Sequence, residues 1–241
     1  MKLDLKNELN SLGPFNKNVH GGLIFATIII FIYCYFGSFS FFNKHFSNVA
    51  NSEYWSVIYH NVSAFVLFFV VGIIFMKFVL KQNLADFGMK KGEWKLGLIL
   101  VGIATIIIPL LTLTTPLDSD MASTYPMIDF QSQSAGFLVL YFVSYILYYI
   151  GWEFLFRGIL LLNLEKGGLN PLTVILISTI VSALIHTCIA DFGKPMVETL
   201  SAIGAGVIFG FITWRTKSLY YSLYMHILTG ICTDMFIFLL V

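Results

Sequence analysis

Long apolar runs, about as long as a lipid bilayer is thick, govern what this chain can fold into. A bilayer-crossing helix needs about 20 largely apolar residues. Runs of that kind fall at roughly residues 22–42, 54–80, 96–115, 135–162, 171–190, 195–214 and 218–240. They are too long for barrel strands and lack the alternation of a strand with one polar face. The sequence therefore predicts an all-α, polytopic membrane helix bundle of about seven transmembrane helices. Only 11% of residues are charged and 58% are hydrophobic, against about 25% charged in a soluble domain. A water-soluble globule and a disordered chain are both excluded. The 14 Lys+Arg against 13 Asp+Glu leave no basic field for nucleic acid, so the implied surroundings are the lipid bilayer.

Charge asymmetry orients the bundle. With the N-terminus cytoplasmic, the inner segments hold Lys2, Lys6, Lys17, Lys77, Lys81, Lys90, Lys91, Lys95, Lys166, Arg215 and Lys217, and the outer ones only Lys44 and Lys194. This positive-inside bias requires an odd number of crossings and places the C-terminus outside, in a multi-pass cell-membrane protein. No small-residue cleavage site follows residues 1–20, so the first span is expected to be a retained helix. The fourth span is too long for an upright helix and is expected to tilt or to extend into the cytoplasm. KQNLADFGMKKGEWK (81–95) reads as an interfacial amphipathic segment anchored by Leu84, Phe87 and Trp94. The acidic, Pro-broken loop 116–134 reads as external. Cys34, Cys188 and Cys232 fall in apolar stretches and read as small buried hydrophobes. The organisation expected is 1–134, N-terminal membrane helices and the interfacial segment, then 135–241, a catalytic core, together forming one membrane domain.

Chemistry must reside in the ionisable groups within the apolar runs, because placing a charge there costs several kcal/mol. They are His60, Glu153, Arg157, His186, Glu198, His226 and Asp234. Glu153 and Arg157 are one turn apart and meet on one helix face. Either they neutralise each other for insertion, or Arg157 holds Glu153 ionised toward a polar cavity. Taken singly, His186 and His226 fit hydrogen-bonded core histidines. Four consecutive C-terminal spans each contribute a carboxylate or an imidazole, however, and folding them together would gather Glu153, Arg157, His186, Glu198 and His226 in one pocket. At 1.5 Å rise per residue, Glu153 and His226 lie roughly 12–14 Å from the cytoplasmic ends and His186 and Glu198 roughly 10 Å deeper, so a single pocket needs a tilted fifth span. His60 has no such company and reads as structural. Asp234 reads as a supporting or boundary residue, Asp191 as an outer-boundary residue, and Gly204, Ala205, Gly206 and Gly210 as helix-packing positions.

YYIGWEFLFRGILL, SALIH and GKPMVETLSAIGAGVIFGFITWRTKSLYYSLYMH resemble the CPBP family of intramembrane proteases. That family includes type II CAAX prenyl endopeptidases and Abi-type immunity and bacteriocin-processing proteins. The resemblance covers about residues 145–235, and ADFGMKKGEWKLG is similar to the family's interfacial helix. Of the family motifs EExxxR, FxxxH and HxxxN, Glu153 and Arg157 match the second Glu and the Arg of the first, and His186 and His226 match the two His. Trp152, Ser182 and Gly230 stand where the motifs carry Glu, Phe and Asn. WEFLFRG with KPxxE resembles a recurring variant in which Glu198 supplies the second carboxylate, with TCIADF (187–192) as a local insertion.

The resemblance implies an endopeptidase cleaving membrane-associated peptides or proteins, CAAX-type or in peptide processing. Glu153, oriented by Arg157, would activate water, with Glu198 as the second choice. His186 and His226 would donate to the tetrahedral intermediate. Alternatively His186, His226 and Glu198 would hold a divalent metal such as zinc; no HExxH is present. The rival readings are a non-catalytic scaffold or immunity protein and a proton-coupled transporter.

Overall fold

A computed structural model describes residues 13–188 and 193–241, without the side chains of residues 187 and 188. Lys2, Lys6, Asp191, the side chain of Cys188 and residues 189–192 of the insertion lie outside the described residues. Within them the chain is helical, with no strand. The helices are α1 (Val19–Phe36), α2 (Phe39–Phe46), α3 (Ser52–Leu80), α4 (Trp94–Thr112), α5 (Ser119–Thr124), α6 (Ala135–Lys166), α7 (Pro171–Cys188), α8 (Met196–Thr216) and α9 (Tyr220–Leu240). Among the described residues, six helical stretches, those of α1, α3, α4, α6, α8 and α9, are long and apolar enough to span a bilayer, and Pro171–His186 is a shorter apolar helix.

The expected first span, 22–42, is broken. Helix α1 stops at Phe36, and the Gly37 backbone N–H bonds back to Tyr33 O. Ser38 then turns to an extended conformation and its Oγ accepts from Phe41 N at 3.1 Å, starting α2. This is a Gly stop followed by a Ser N-cap, and it interrupts an unbroken hydropathy signal.

The connections sort to two ends. At one, Asn16 Nδ2 donates to Gly167 O (2.7 Å), Lys17 Nζ to Leu80 O (3.2 Å) and Lys217 Nζ to Glu165 Oε1 (2.7 Å), while Lys166 pairs with Asp86 (3.1 Å). At the other, the loop after α5 meets the start of α8. Residues 81–93 lie at the first end, where the chain makes a single 3₁₀ turn, Leu84–Phe87. Trp94 is exposed, as an interfacial anchor would be, whereas Phe87 is fully buried and stacks on Phe154 at 5.8 Å. That part of the segment is tied into the bundle through Phe87.

Helix α6 is the axis. Its stretch Phe154–Asn163 is wound in wider π-type turns and every residue of it is buried, so this part of the long fourth span is sheathed by protein. Helix α3 packs along α6, α7 along α8, and α9 along α4. The outward faces carry exposed apolar residues such as Ile99, Ile106 and Leu110 on α4, the pattern of a lipid-facing surface. Gly206 lies against Thr179 and Gly210 against Ile175, which brings α7 and α8 together.

At Gly151 an added Cβ would lie 2.7 Å from Ala64 O of α3, a backbone atom that cannot swing away. Gly151→Ala is therefore expected to push α3 off α6 and lower stability by about 1–3 kcal/mol. Gly102→Ala, where nothing lies within 4 Å, should be neutral or stabilising by up to about 1 kcal/mol. Paired unfolding curves in mild detergent compare the two; equal midpoints would contradict the close α3–α6 approach.

Candidate functional site

Glu153 ends the regular part of α6 and Arg157 follows one turn later, at the start of the π-type stretch. Wider turns of this kind recur at functional sites. Both side chains are almost fully buried, and Arg157 Nη1 lies 3.6 Å from Glu153 Oε1. Helix α9 brings in His226, whose Nδ1 is 2.8 Å from the same Oε1. A carboxylate facing a guanidinium accepts, so this Nδ1 carries the proton. Glu153 Oε2, Arg157 Nε and Nη1 and Trp152 Nε1 are buried without a close hydrogen bond.

A cavity of about 130 Å³ opens beside this pair, room for a few waters. Its walls include Arg157, His186, Glu198 and His226, together with Tyr149 and Gly230. Glu153 is not part of the wall and reaches the cavity through His226. The two depths expected from the sequence thus meet in one cavity.

His186, near the end of α7, directs Nδ1 at Ser182 O (2.9 Å). A carbonyl only accepts, so Nδ1 bears the proton and a neutral ring offers Nε2 as an acceptor. The ring stands edge-on to Trp152 at 5.6 Å. Trp152, at the motif's first Glu position, is buried among Phe68, Tyr148 and Phe156.

Glu198 lies in the first turn of α8, where the helix dipole favours a carboxylate. Tyr125, from the loop after α5, donates to both its oxygens at 2.8 Å. Lys194 Nζ donates to the Tyr125 hydroxyl and lies 3.6 Å from Glu198 Oε1. Burial, and after it the Glu198 charge, push the Tyr125 hydroxyl well above its ordinary range, so it stays a donor. Tyr125 is not legible in the sequence, because a loop tyrosine 73 positions from its partner carries no local signal.

The remaining polar residues fall away from the cavity wall. His60 is buried, its Nε2 2.8 Å from Tyr33 Oη and its Nδ1 2.8 Å from Gly37 O, in keeping with a structural role. Asp234 is fully buried and accepts from Tyr141 Oη at 2.7 Å.

Among the described residues no three His, Cys, Asp or Glu side chains come together in a way that could hold an ion.

Residues 134–232 match the family model described as type II CAAX prenyl endopeptidase Rce1-like. No curated protein and no solved structure matches the chain.

Proposed function

From the match of residues 134–232 to the Rce1-like type II CAAX prenyl endopeptidase family model, we propose that the chain is an intramembrane endopeptidase hydrolysing membrane-associated peptides or proteins at the α6–α9 cavity. The observation that carries this reading is the buried Glu153, paired with Arg157 and bonded to a cavity-lining His226. A carboxylate that fixes the Nδ1–H of an imidazole leaves Nε2 as a base. In this reading a water held near His226, His186 and Glu198 loses a proton to His226 Nε2 as its oxygen attacks the scissile carbonyl. The same proton then passes to the leaving amine as the C–N bond breaks. Arg157 keeps Glu153 charged throughout. This differs from direct activation by Glu153, because His226 lines the cavity and Glu153 does not. Glu198, clasped by Tyr125 and Lys194 at the outer end, orients the water. The substrate is either a CAAX-type, prenylated C-terminus or a peptide undergoing processing. The basic inner loops support an N-terminus in the cytoplasm and a C-terminus outside.

The test is cleavage of a membrane-peptide library by the purified, detergent-solubilised chain, with and without a chelator, beside Glu198→Gln. Cleavage is expected to survive chelation and to fall about 10–100-fold in Glu198→Gln, within the range of a lost polar contact to the reacting centre. A wild-type chain that cleaves nothing would favour the scaffold reading, which Trp152 at the first motif Glu position supports. Activity lost to the chelator alone would restore the metal reading.

A further inference from the structure

Peptide hydrolysis also requires a hydrogen-bond donor aimed at the oxygen that becomes negative in the transition state. The two histidines expected to do this have each committed Nδ1–H to an oxygen, Glu153 Oε1 and Ser182 O. With Nδ1–H committed, a neutral ring has only Nε2 left, and that nitrogen accepts rather than donates.

Gly230 supplies a different answer. It stands where the HxxxN motif carries Asn, one turn beyond His226 on α9, and it lines the cavity. The space a side chain at 230 would fill is already taken. An added Cβ would overlap the Tyr149 hydroxyl oxygen and come within 2.9 Å of the Tyr145 hydroxyl. Two phenols from α6 thus place their polar ends where a carboxamide would begin. Both tyrosines line the cavity. The Tyr149 ring packs on the His226 ring at 4.3 Å, so its hydroxyl lies on the same wall as the base. Tyr149 is one turn before Glu153 and shares its helix face. A buried phenol is a competent oxyanion donor because it can give a proton to a hydrogen bond while remaining neutral.

We propose that Tyr149 donates to the oxyanion of the tetrahedral intermediate, its hydroxyl replacing the amide absent at position 230. This inference rests on the peptidase reading. Tyr149 is the catalytic donor, and Tyr145, one turn earlier, packs behind it.

The experiment compares wild type, Tyr149→Phe and the double variant Tyr149→Phe/Gly230→Asn on one peptide that the wild type cleaves. It also uses that peptide's phosphinate analogue, whose tetrahedral anion mimics the intermediate. Tyr149→Phe keeps the ring contact with His226 and removes only the hydroxyl. The expected result is a fall in kcat of about 10²–10³-fold with KM unchanged, and a parallel loss of phosphinate affinity. Recovery of kcat by at least about tenfold in the double variant would show that an amide and a phenol are interchangeable at this point. A Tyr149→Phe variant with wild-type kcat, or one that loses kcat while binding the phosphinate as tightly as before, overturns the proposal and leaves the peptidase reading standing. A wild type that neither cleaves nor binds the phosphinate overturns both.

Discussion

Arg157→Met is expected to yield little folded protein. The substitution removes the guanidinium 3.6 Å from Glu153 and leaves a carboxylate that is 1% exposed. Removing one partner of a buried ion pair typically costs about 3–5 kcal/mol, a large share of the total stability of most folded chains. Part of the Glu153 charge would still be met by His226 at 2.8 Å, provided that ring is protonated. The remainder would have to be relieved by protonating the carboxylate or by opening the bundle. Exchanging both members for neutral groups of similar shape is often close to neutral. The double variant Glu153→Gln/Arg157→Met should therefore recover a monodisperse, folded species while remaining inactive. Size-exclusion profiles and unfolding midpoints in one detergent distinguish the cases. If Arg157→Met alone folded as well as wild type, the pair would be a surface-like contact and the site's electrostatic frame would lie elsewhere.

The parts of this molecule legible in its sequence are those where a physical cost leaves a local mark. Each bilayer crossing must satisfy its backbone within one helix and face lipid, so runs of about 20 apolar residues stand out. Glu153, Arg157, His186, Glu198 and His226 stand out for the converse reason, that a charge or imidazole in such a run needs a purpose. The break at Gly37–Ser38 was written as plainly, a stop residue followed by a cap, but hydropathy averaged across it. Phe87 could not be placed, because an amphipathic pattern does not say whether its apolar residues meet lipid or protein. The environment of Glu198 was illegible for a different reason. Tyr125 reaches it from a loop, and only folding fixes that approach. Tyr149 was hidden by its company, since Tyr145, Tyr148 and Tyr149 look like ordinary aromatic packing in a chain with 17% aromatic residues. The absence of a side chain at Gly230 became informative only once the hydroxyls occupying its space were visible.

Single substitutions Glu153→Gln and His226→Gln are each expected to reduce kcat by about 10³–10⁴-fold, and the double variant to be no worse than either. The scale is that of neutralising the carboxylate that orients a histidine base, about 10⁴-fold in the serine-protease triad. The reasoning is geometric. Glu153 Oε1 holds the His226 proton at 2.8 Å, its Oε2 is buried, and His226 is the member of the pair that lines the cavity. If the carboxylate acts only by fixing the Nδ1–H of the ring, nothing remains for it to do once the ring is gone. Residues that work as one unit lose their effect once, so their separate losses do not multiply. A Glu153 that took the proton from water directly, with His226 serving a different step, would instead give losses that multiply, about 10⁶-fold or more together, or about 8 kcal/mol at 1.36 kcal/mol per decade. The readout is kcat under saturating peptide for the four corners of the cycle, each variant first shown to be folded. A product of losses would return the base to Glu153 and require its carboxylate to turn toward the cavity during turnover.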